Sequence, residues 1–369
     1  MKKLDFKLKL LLSLILAAIA LALLAYLDAN RGQYSYTLSI LERSAIYAVV
    51  AVAMNLLTGF TGLFSLGQAG FMAIGAYTVA ILTIPVEARD AVYYVNGIAD
   101  GLANAHLPLW AALIVGGIFA AVLGWLIGYP VLRLKSDYLA IATLGFSEII
   151  RAFISAPQFD RITNGSYGLK SIPSFPSTFM VFGVSALCIF LMVMILRSSY
   201  GRAFRAIRED ETAAEAMGIN LSKHKQMAFV ISCFFTGVAG GMLAVYMRSI
   251  DAKSFQIGLT YDILLIVVLG GIGSVTGSIL GSFLMTAGRE WLRFFDDPLM
   301  IGDFSVPLFR TGFRMVIFSL ILMAIVLYYR KGLMGTKEFS WDGLYRFLRH
   351  NLYLRWRKPV AGPKGGDGQ

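Results

Sequence analysis

The chain has 369 residues, of which 57% are apolar and only 15% charged, and its formal net charge is +11. A soluble domain must hydrate its surface and rarely reaches that apolar content, so an ordinary soluble protein is excluded. The basic excess does not mark a nucleic-acid binder, because most Lys and Arg fall in four patches, the start, 131–137, 197–225 and the stretch after 329, while the other loops are nearly balanced in charge.

The first residues, MKKLDFKLKLLLSLILAAIALALLAYL, have the basic start and apolar centre of a signal peptide. The apolar run is long for one and no small-x-small cleavage site follows, so an uncleaved first membrane span is expected. Further apolar runs follow near 44–61, 62–84, 108–129, 138–155, 178–197, 226–247, 259–287 and 311–329. Each approaches the roughly 20 residues that a helix needs to cross a bilayer. Backbone groups in lipid must be satisfied within the segment, so these runs predict helices. The fold class expected is all-α, a polytopic membrane helix bundle of about 8–10 transmembrane helices with glycine-rich broken or re-entrant segments.

The run at 259–287 is interrupted by GGIGS at 270–274, which predicts a break or a re-entrant turn. An odd number of full crossings from an inside start would put the basic tail outside, so one segment that enters and returns restores the positive-inside pattern. A further crossing hidden within these boundaries would do the same.

Glycines crowd 57–77 (LTGFTGLFSLGQAGFMAIGAY) and 269–282 (LGGIGSVTGSILGS) in comparable places of the two halves. Such interrupted segments mark a midplane substrate path in many transporters, and Asn55, Gly67, Gln68 and Tyr77 are the candidates for lining it. Gly62 and Gly70 lie beside them. The plainer role of glycine is close helix packing, for which Gly124–Gly128, Gly237–Gly241 and Gly277–Gly281 have the small-xxx-small spacing. Glu148 and Arg151 are three apart on one helical face and predict a structural ion pair, with a gating role as the alternative. Asp262 and Arg314 fall near membrane edges, where snorkelling accounts for them.

The stretch GRAFRAIREDETAAEAMGIN at 201–220 is densely charged between two apolar runs. From Ala203 to Met217 nothing breaks a helix and alanine is abundant. Phe204, Ile207, Ala214 and Met217 fall mostly opposite Arg205, Arg208, Glu209, Thr212 and Glu215, and Gly218 is placed to end the helix. Patterning alone leaves two readings, a solvated connector and a docking helix. After the last span, Trp341, Leu344, Phe347, Leu348 and Leu352 recur near helical spacing beside Arg346, Arg349, Arg355 and Arg357. This predicts an interfacial helix on the cytoplasmic leaflet, before a flexible GPKGGDGQ end.

No GxxxxGK[ST] phosphate loop, HExxH or GxSxG occurs. Cys188 and Cys233 sit in apolar runs as packing residues, and the three histidines His106, His224 and His350 are scattered. Neither a metal, another cofactor nor catalytic residues are expected on this chain.

The charged stretch resembles the cytoplasmic coupling loop of ABC-importer permeases, and more narrowly that of the permease subunits of branched-chain amino acid importers. AMNLLTGFTGLFSLGQAGFMAIGAY at 53–77, GYPVLRLKSDYLAIATLGFSEIIR at 128–151, YDILLIVVLGGIGSVTGSILGS at 261–282 and FRMVIFSLILMAIVLYYRKGLMG at 313–335 agree with that family in order. The resemblance implies a permease domain over 1–335, with a cytoplasmic coupling loop at 198–224, and an interfacial helix and tail over 336–369. It implies a second homologous permease subunit, two cytoplasmic ATP-binding subunits and a periplasmic substrate-binding protein as partners, in a bacterial inner membrane with both termini cytoplasmic. The helix from Gly201 to Gly218 would dock on an ATPase through Arg205, Arg208, Glu209, Glu211, Ala213, Ala214, Glu215 and Gly218.

Two departures stand out. The trio Thr212-Ala213-Ala214 occupies the place of the general Glu-Ala-Ala, flanked by Glu211 and Glu215, and Asn164 stands where a glycine is common. The same architecture could carry urea, amides or other amino acids, and a stand-alone ion-coupled transporter is the reading from a different class.

Overall fold

The computed structural model describes residues 6–134, 136–296, 300–301, 304–305, 312–329, 332–335 and 338. The expected tail helix beyond 338 lies outside the described residues. Fourteen α-helices run in order: α1 Phe6–Ala29, α2 Arg31–Asn55, α3 Gln68–Thr83, α4 Val86–Val92, α5 Leu109–Val131, α6 Ser136–Ser155, α7 Asp160–Thr163, α8 Thr178–Arg197, α9 Ser199–Glu209, α10 Glu211–Ala216, α11 Leu221–Met247, α12 Ile257–Gly270, α13 Val275–Trp291 and α14 Phe313–Tyr328. Strand pairing among the described residues is confined to a two-residue ladder, Met300–Ile301 with Phe304–Ser305, and one bridge between Leu169 and Ile250.

Among the described residues six helices are long and apolar enough to cross a bilayer, and a seventh such span forms if α3 and α4, bent by 119° at Ile84–Pro85, are taken together. The chain is a multi-pass membrane protein. Two of these helices form its centre, since 83% of the apolar window of α2 and of α11 is buried against only 6% for α1. α3 packs between α11, α5 and α6, while α8, α12 and α13 pack on α2. The outward faces of α1, α5 and α8 carry exposed Leu14, Ile19, Ile118, Phe119, Trp125 and Phe190. Apolar side chains exposed in continuous stripes are what hydrocarbon, not water, requires.

Glycine sets how closely the central helices approach. A Cβ on Gly75 of α3 would collide with the Gly237 carbonyl of α11, and one on Gly240 with the Met72 carbonyl. The three spaced pairs serve the same end: Gly124 and Gly128 abut Cys233 and Phe229, Gly237 and Gly241 abut Ala120 and Val79, and Gly277 and Gly281 abut Gly270 and the Ile266 carbonyl. Helix association in lipid rests on such van der Waals contact rather than on hydrophobic exclusion.

The last set shows that α12 and α13 lie antiparallel as a hairpin, broken at Gly271–Ser274 where GGIGS interrupts the run. At roughly 1.5 Å per residue, α12 is about 21 Å long and α13 about 26 Å, each short of a full hydrocarbon crossing. The segment expected to span 62–84 begins its helix only at Gln68, and residues 61–67 are irregular. α2 ends there in a π-helical turn, Leu56–Phe60.

Charged groups expected to snorkel are paired instead. Arg289 makes a bidentate pair with Asp262 at 2.7 and 2.8 Å, and Arg314 lies 3.2 Å from Asp296 and 3.9 Å from Glu290. The Glu148–Arg151 pair forms as its spacing predicts, at 2.8 Å. Arg89, almost fully buried, has no carboxylate partner among the described residues but donates to the carbonyls of Ile81, Ile84, Leu102, Ala103 and Ala105, which fixes the connection into α5. Asn164 sits at φ 56°, where glycine or asparagine is favoured, and its amide donates to the Val92 and Gly168 carbonyls at 3.0 and 2.7 Å.

Candidate functional site

The charged stretch forms two helices rather than one. α9 ends at Glu209, Asp210 turns to an extended conformation (φ −159°, ψ 113°), and α10 begins at Glu211. The Asp210 carboxylate accepts the Ala213 N–H at 3.0 Å. Helix propensity alone predicts continuity, but a capping aspartate competes with the helical backbone for its own N–H groups, and here it wins.

α10 closes at Gly218, which adopts φ 84°. The Ile219 N–H reaches the Ala214 carbonyl at 3.1 Å and the Gly218 N–H the Glu215 carbonyl at 2.9 Å, the paired bonds of a Schellman cap. No atom lies within 4 Å of where a Gly218 Cβ would stand, so the backbone conformation alone asks for glycine.

The predicted faces hold for most residues. Phe204, Ile207 and Ala214 are buried, whereas Met217 is 83% exposed because it follows the last turn of α10. Phe204 packs edge-on to His224 of α11, with ring centroids 6.5 Å apart. Gly201 is needed where α8 turns into α9, since a Cβ there would overlap the Leu196 carbonyl. Among the eight predicted coupling residues, Arg205, Glu209, Glu211, Ala213, Glu215 and Gly218 are exposed. Glu211 also pairs with Lys225 of α11 at 2.6 Å, which braces α10 against the bundle.

Arg208 points the other way. Its Nη1 donates to the Gly59 carbonyl, at 2.5 Å, in the π-turn that ends α2, while Nη2 pairs with Glu209. The same guanidinium lies beside Gly273, in the break of the α12–α13 hairpin, and the side chain also crowds Gly62.

That break is held from two further sides. Asn55, completely buried at the end of α2, donates through Nδ2 to the Ser274 carbonyl at 2.9 Å and to Ser278 Oγ at 2.7 Å. Its Oδ1 accepts the Gly273 N–H at 2.8 Å. From the segment after α14, the Glu338 carboxylate accepts the N–H groups of Val275 and Thr276 at 2.7 and 3.0 Å, at the start of α13. Leu333 and Met334 donate backbone N–H groups to the Leu269 and Gly270 carbonyls. Ser274 caps α13 by accepting the Gly277 N–H, a local contact, whereas Glu338 is 64 residues away and carries no local signal.

The four predicted path residues are all buried. Gln68 accepts Thr236 Oγ1–H at 2.6 Å and donates to Ser232 Oγ at 3.4 Å, bridging α3 to α11. Gly67 lies against the Thr143 carbonyl, and Tyr77 against Phe255 with a hydroxyl that finds no hydrogen-bond partner among the described residues. None of them lines the large cleft of the described residues, about 380 Å³, which lies between the start of α2 and the end of α11.

A polytopic helical bundle with an amphipathic charged loop braced on it is the architecture to which the family match assigns the class of transport permease. Residues 36–327 match the family described as branched-chain amino acid transport system / permease component, and the chain belongs to that family. It is 34% identical over 307 residues to the high-affinity branched-chain amino acid transport system permease protein LivM of Escherichia coli (strain K12), covering 73% of this chain and 67% of that protein. It is 25% identical over 318 residues to the probable branched-chain amino acid transport permease protein LivM of Methanocaldococcus jannaschii, covering 79% and 91%. The high-affinity permease protein LivH of Escherichia coli (strain K12) is 25% identical over 310 residues, covering 79% and 92%. No solved structure matches the chain.

Proposed function

We propose that this chain is the membrane permease subunit of an ATP-driven importer for branched-chain amino acids. It works in the inner membrane with both termini in the cytoplasm, beside a second homologous permease, two cytoplasmic ATPase subunits and a periplasmic substrate-binding protein. The names of the relatives support the cargo, and the split of the coupling residues supports the mechanism. The exposed set on α9 and α10 (Arg205, Glu209, Glu211, Ala213, Glu215 and Gly218) meets the ATPase. Ala214 seats α10 on the bundle, and Arg208 carries the motion inward.

The single observation behind this reading is the hydrogen bond from Arg208 to the Gly59 carbonyl, made where Gly273 of the hairpin break lies beside the same guanidinium. Through it, a displacement of α9 reaches the end of α2 and the hairpin break together. Rigid elements that share a tie move together or exchange partners, which is how closure of an ATPase pair would tip the bundle. In the closed bundle, Asn55, Gly67, Gln68 and Tyr77 mark the line along which the path opens, between α2, α3, α11 and the hairpin. No step on this chain makes or breaks a covalent bond.

Co-purification with nucleotide-binding subunits and uptake that requires ATP are expected. Uptake by the lone chain in ATP-free vesicles would contradict the proposal. Glu211→Lys with Glu215→Lys reverses the charge on the docking face and is expected to abolish ATPase capture. Unchanged capture and transport would show that this face does not dock.

A further inference from the structure

Away from α9 and α10, the cleft of about 380 Å³ between α2 and α11 has a composition that neither packing nor coupling explains. That volume lies within the roughly 300–1,000 Å³ of small-molecule sites. Its apolar lining is Leu38, Phe175 and Val245, and its charged lining is Arg31, Glu42 and Arg248, with α2 supplying both kinds.

Glu42 is nearly buried, with its residue 8% exposed. Its Oε1 accepts the Thr178 hydroxyl at 2.7 Å and lies 3.6 Å from Arg31 Nη2, a loose ion pair. A carboxylate kept this far from water needs cationic or hydrogen-bonding company. Arg248 is the opposite case. It occupies the left-handed region at φ 60° as the cap of α11, a conformation disfavoured for a residue with a β-carbon. Its guanidinium makes no hydrogen bond or ion pair with any other described residue. Glycine would satisfy that backbone without strain, so the strained arginine points to a use for its side chain.

We infer that this cleft is a binding site for a zwitterion with an apolar side chain, a free α-amino acid, with the substrate ammonium on Glu42, its carboxylate on Arg248 and its side chain against the apolar lining residues. The inference rests on the importer reading for which amino acid is carried, and on the cleft alone for the zwitterion. The site lies toward the opposite end of α2 from the π-turn, Glu42 and Asn55 being about 20 Å apart along the helix axis. It is therefore a mouth site, where the cargo is held before the buried line from Tyr77 to Asn55 opens. Two cations against one carboxylate give the mouth a net positive charge, which favours entry carboxylate-first.

The test is a titration of the assembled, nucleotide-free complex with leucine, isocaproate (carboxylate only) and isoamylamine (ammonium only), read by saturation-transfer NMR. Glu42→Gln and Arg248→Gln are each expected to weaken leucine about tenfold or more. Isocaproate should respond only to the arginine change and isoamylamine only to the glutamate change. Arg248→Lys should recover part of the loss, which separates charge from fold.

Unchanged leucine affinity in both glutamine variants overturns the inference. So does an unchanged affinity accompanied by a higher half-saturating concentration of loaded binding protein, which would make the cleft a protein-docking surface. If the wild-type complex ignores leucine but binds another zwitterion through these residues, the cargo reading fails and the site stands. If it transports leucine with no contact at the cleft, the reverse holds.

Discussion

The two ends of α2 solve opposite problems. At the Asn55 end, polar groups of three segments meet, and the Asn55 amide and the Glu338 carboxylate both bond the hairpin backbone. At the Arg31 end, charged groups face an open cleft with one guanidinium left without a partner among the described residues. Close pairing makes this joint move as a unit or exchange partners as a unit, because a partial displacement leaves buried donors and acceptors unsatisfied. Open volume with incomplete pairing gives a site, because a ligand supplies what is missing. One helix thus carries a joint near the coupling loop and a receptor near the opposite mouth.

Substitutions should respect that division. Asn55→Ala strips partners from the Gly273 N–H and the Ser278 hydroxyl in a closed interior and is expected to cost about 3 kcal/mol, read as a lower unfolding midpoint of the purified complex. A loss below about 0.5 kcal/mol would mean that the joint is not closed. Gly218→Ala places a side chain at positive φ and should cost about 1–2 kcal/mol locally, weakening ATPase capture while the bundle keeps its midpoint. Arg248→Gly, in the open cleft, should be neutral or stabilising by up to about 1 kcal/mol, since it relieves strain and breaks no contact. A destabilisation as large as that of Asn55→Ala would erase the distinction between the two ends.

Most of the bundle was legible because its signals are local. Apolar run length gives the spans, the GGIGS interruption gives the hairpin break, and three-residue spacing gives the Glu148–Arg151 pair. Gly218 was legible as a cap for the same reason. Asp210 was not, because helix propensity over 203–217 outweighs a single aspartate until the capping bond to Ala213 is seen. Arg208 reads as one more exposed charge on a helical wheel, and only the fold brings Gly59 and Gly273 beneath it. Asn55 lay on the expected path as an isolated polar residue, yet in the fold its amide ties α2 to residues more than 200 positions away. Glu338 and the cleft are equally long-range: Arg31, Glu42 and Arg248 converge only once α2 and α11 pack.

The central claim, that α9 drives the hairpin through Arg208, is tested most directly by the number of amino acid molecules moved per ATP hydrolysed. In the reconstituted complex, Arg208→Gln replaces none of the exposed docking residues but removes the guanidinium that donates to the Gly59 carbonyl beside Gly273. The account predicts that ATP hydrolysis persists while transport per ATP falls about tenfold or more, the loss of a charged hydrogen bond being worth roughly 1.5–3 kcal/mol. An unchanged ratio, with hydrolysis and transport both retained or both lost in parallel, would contradict it.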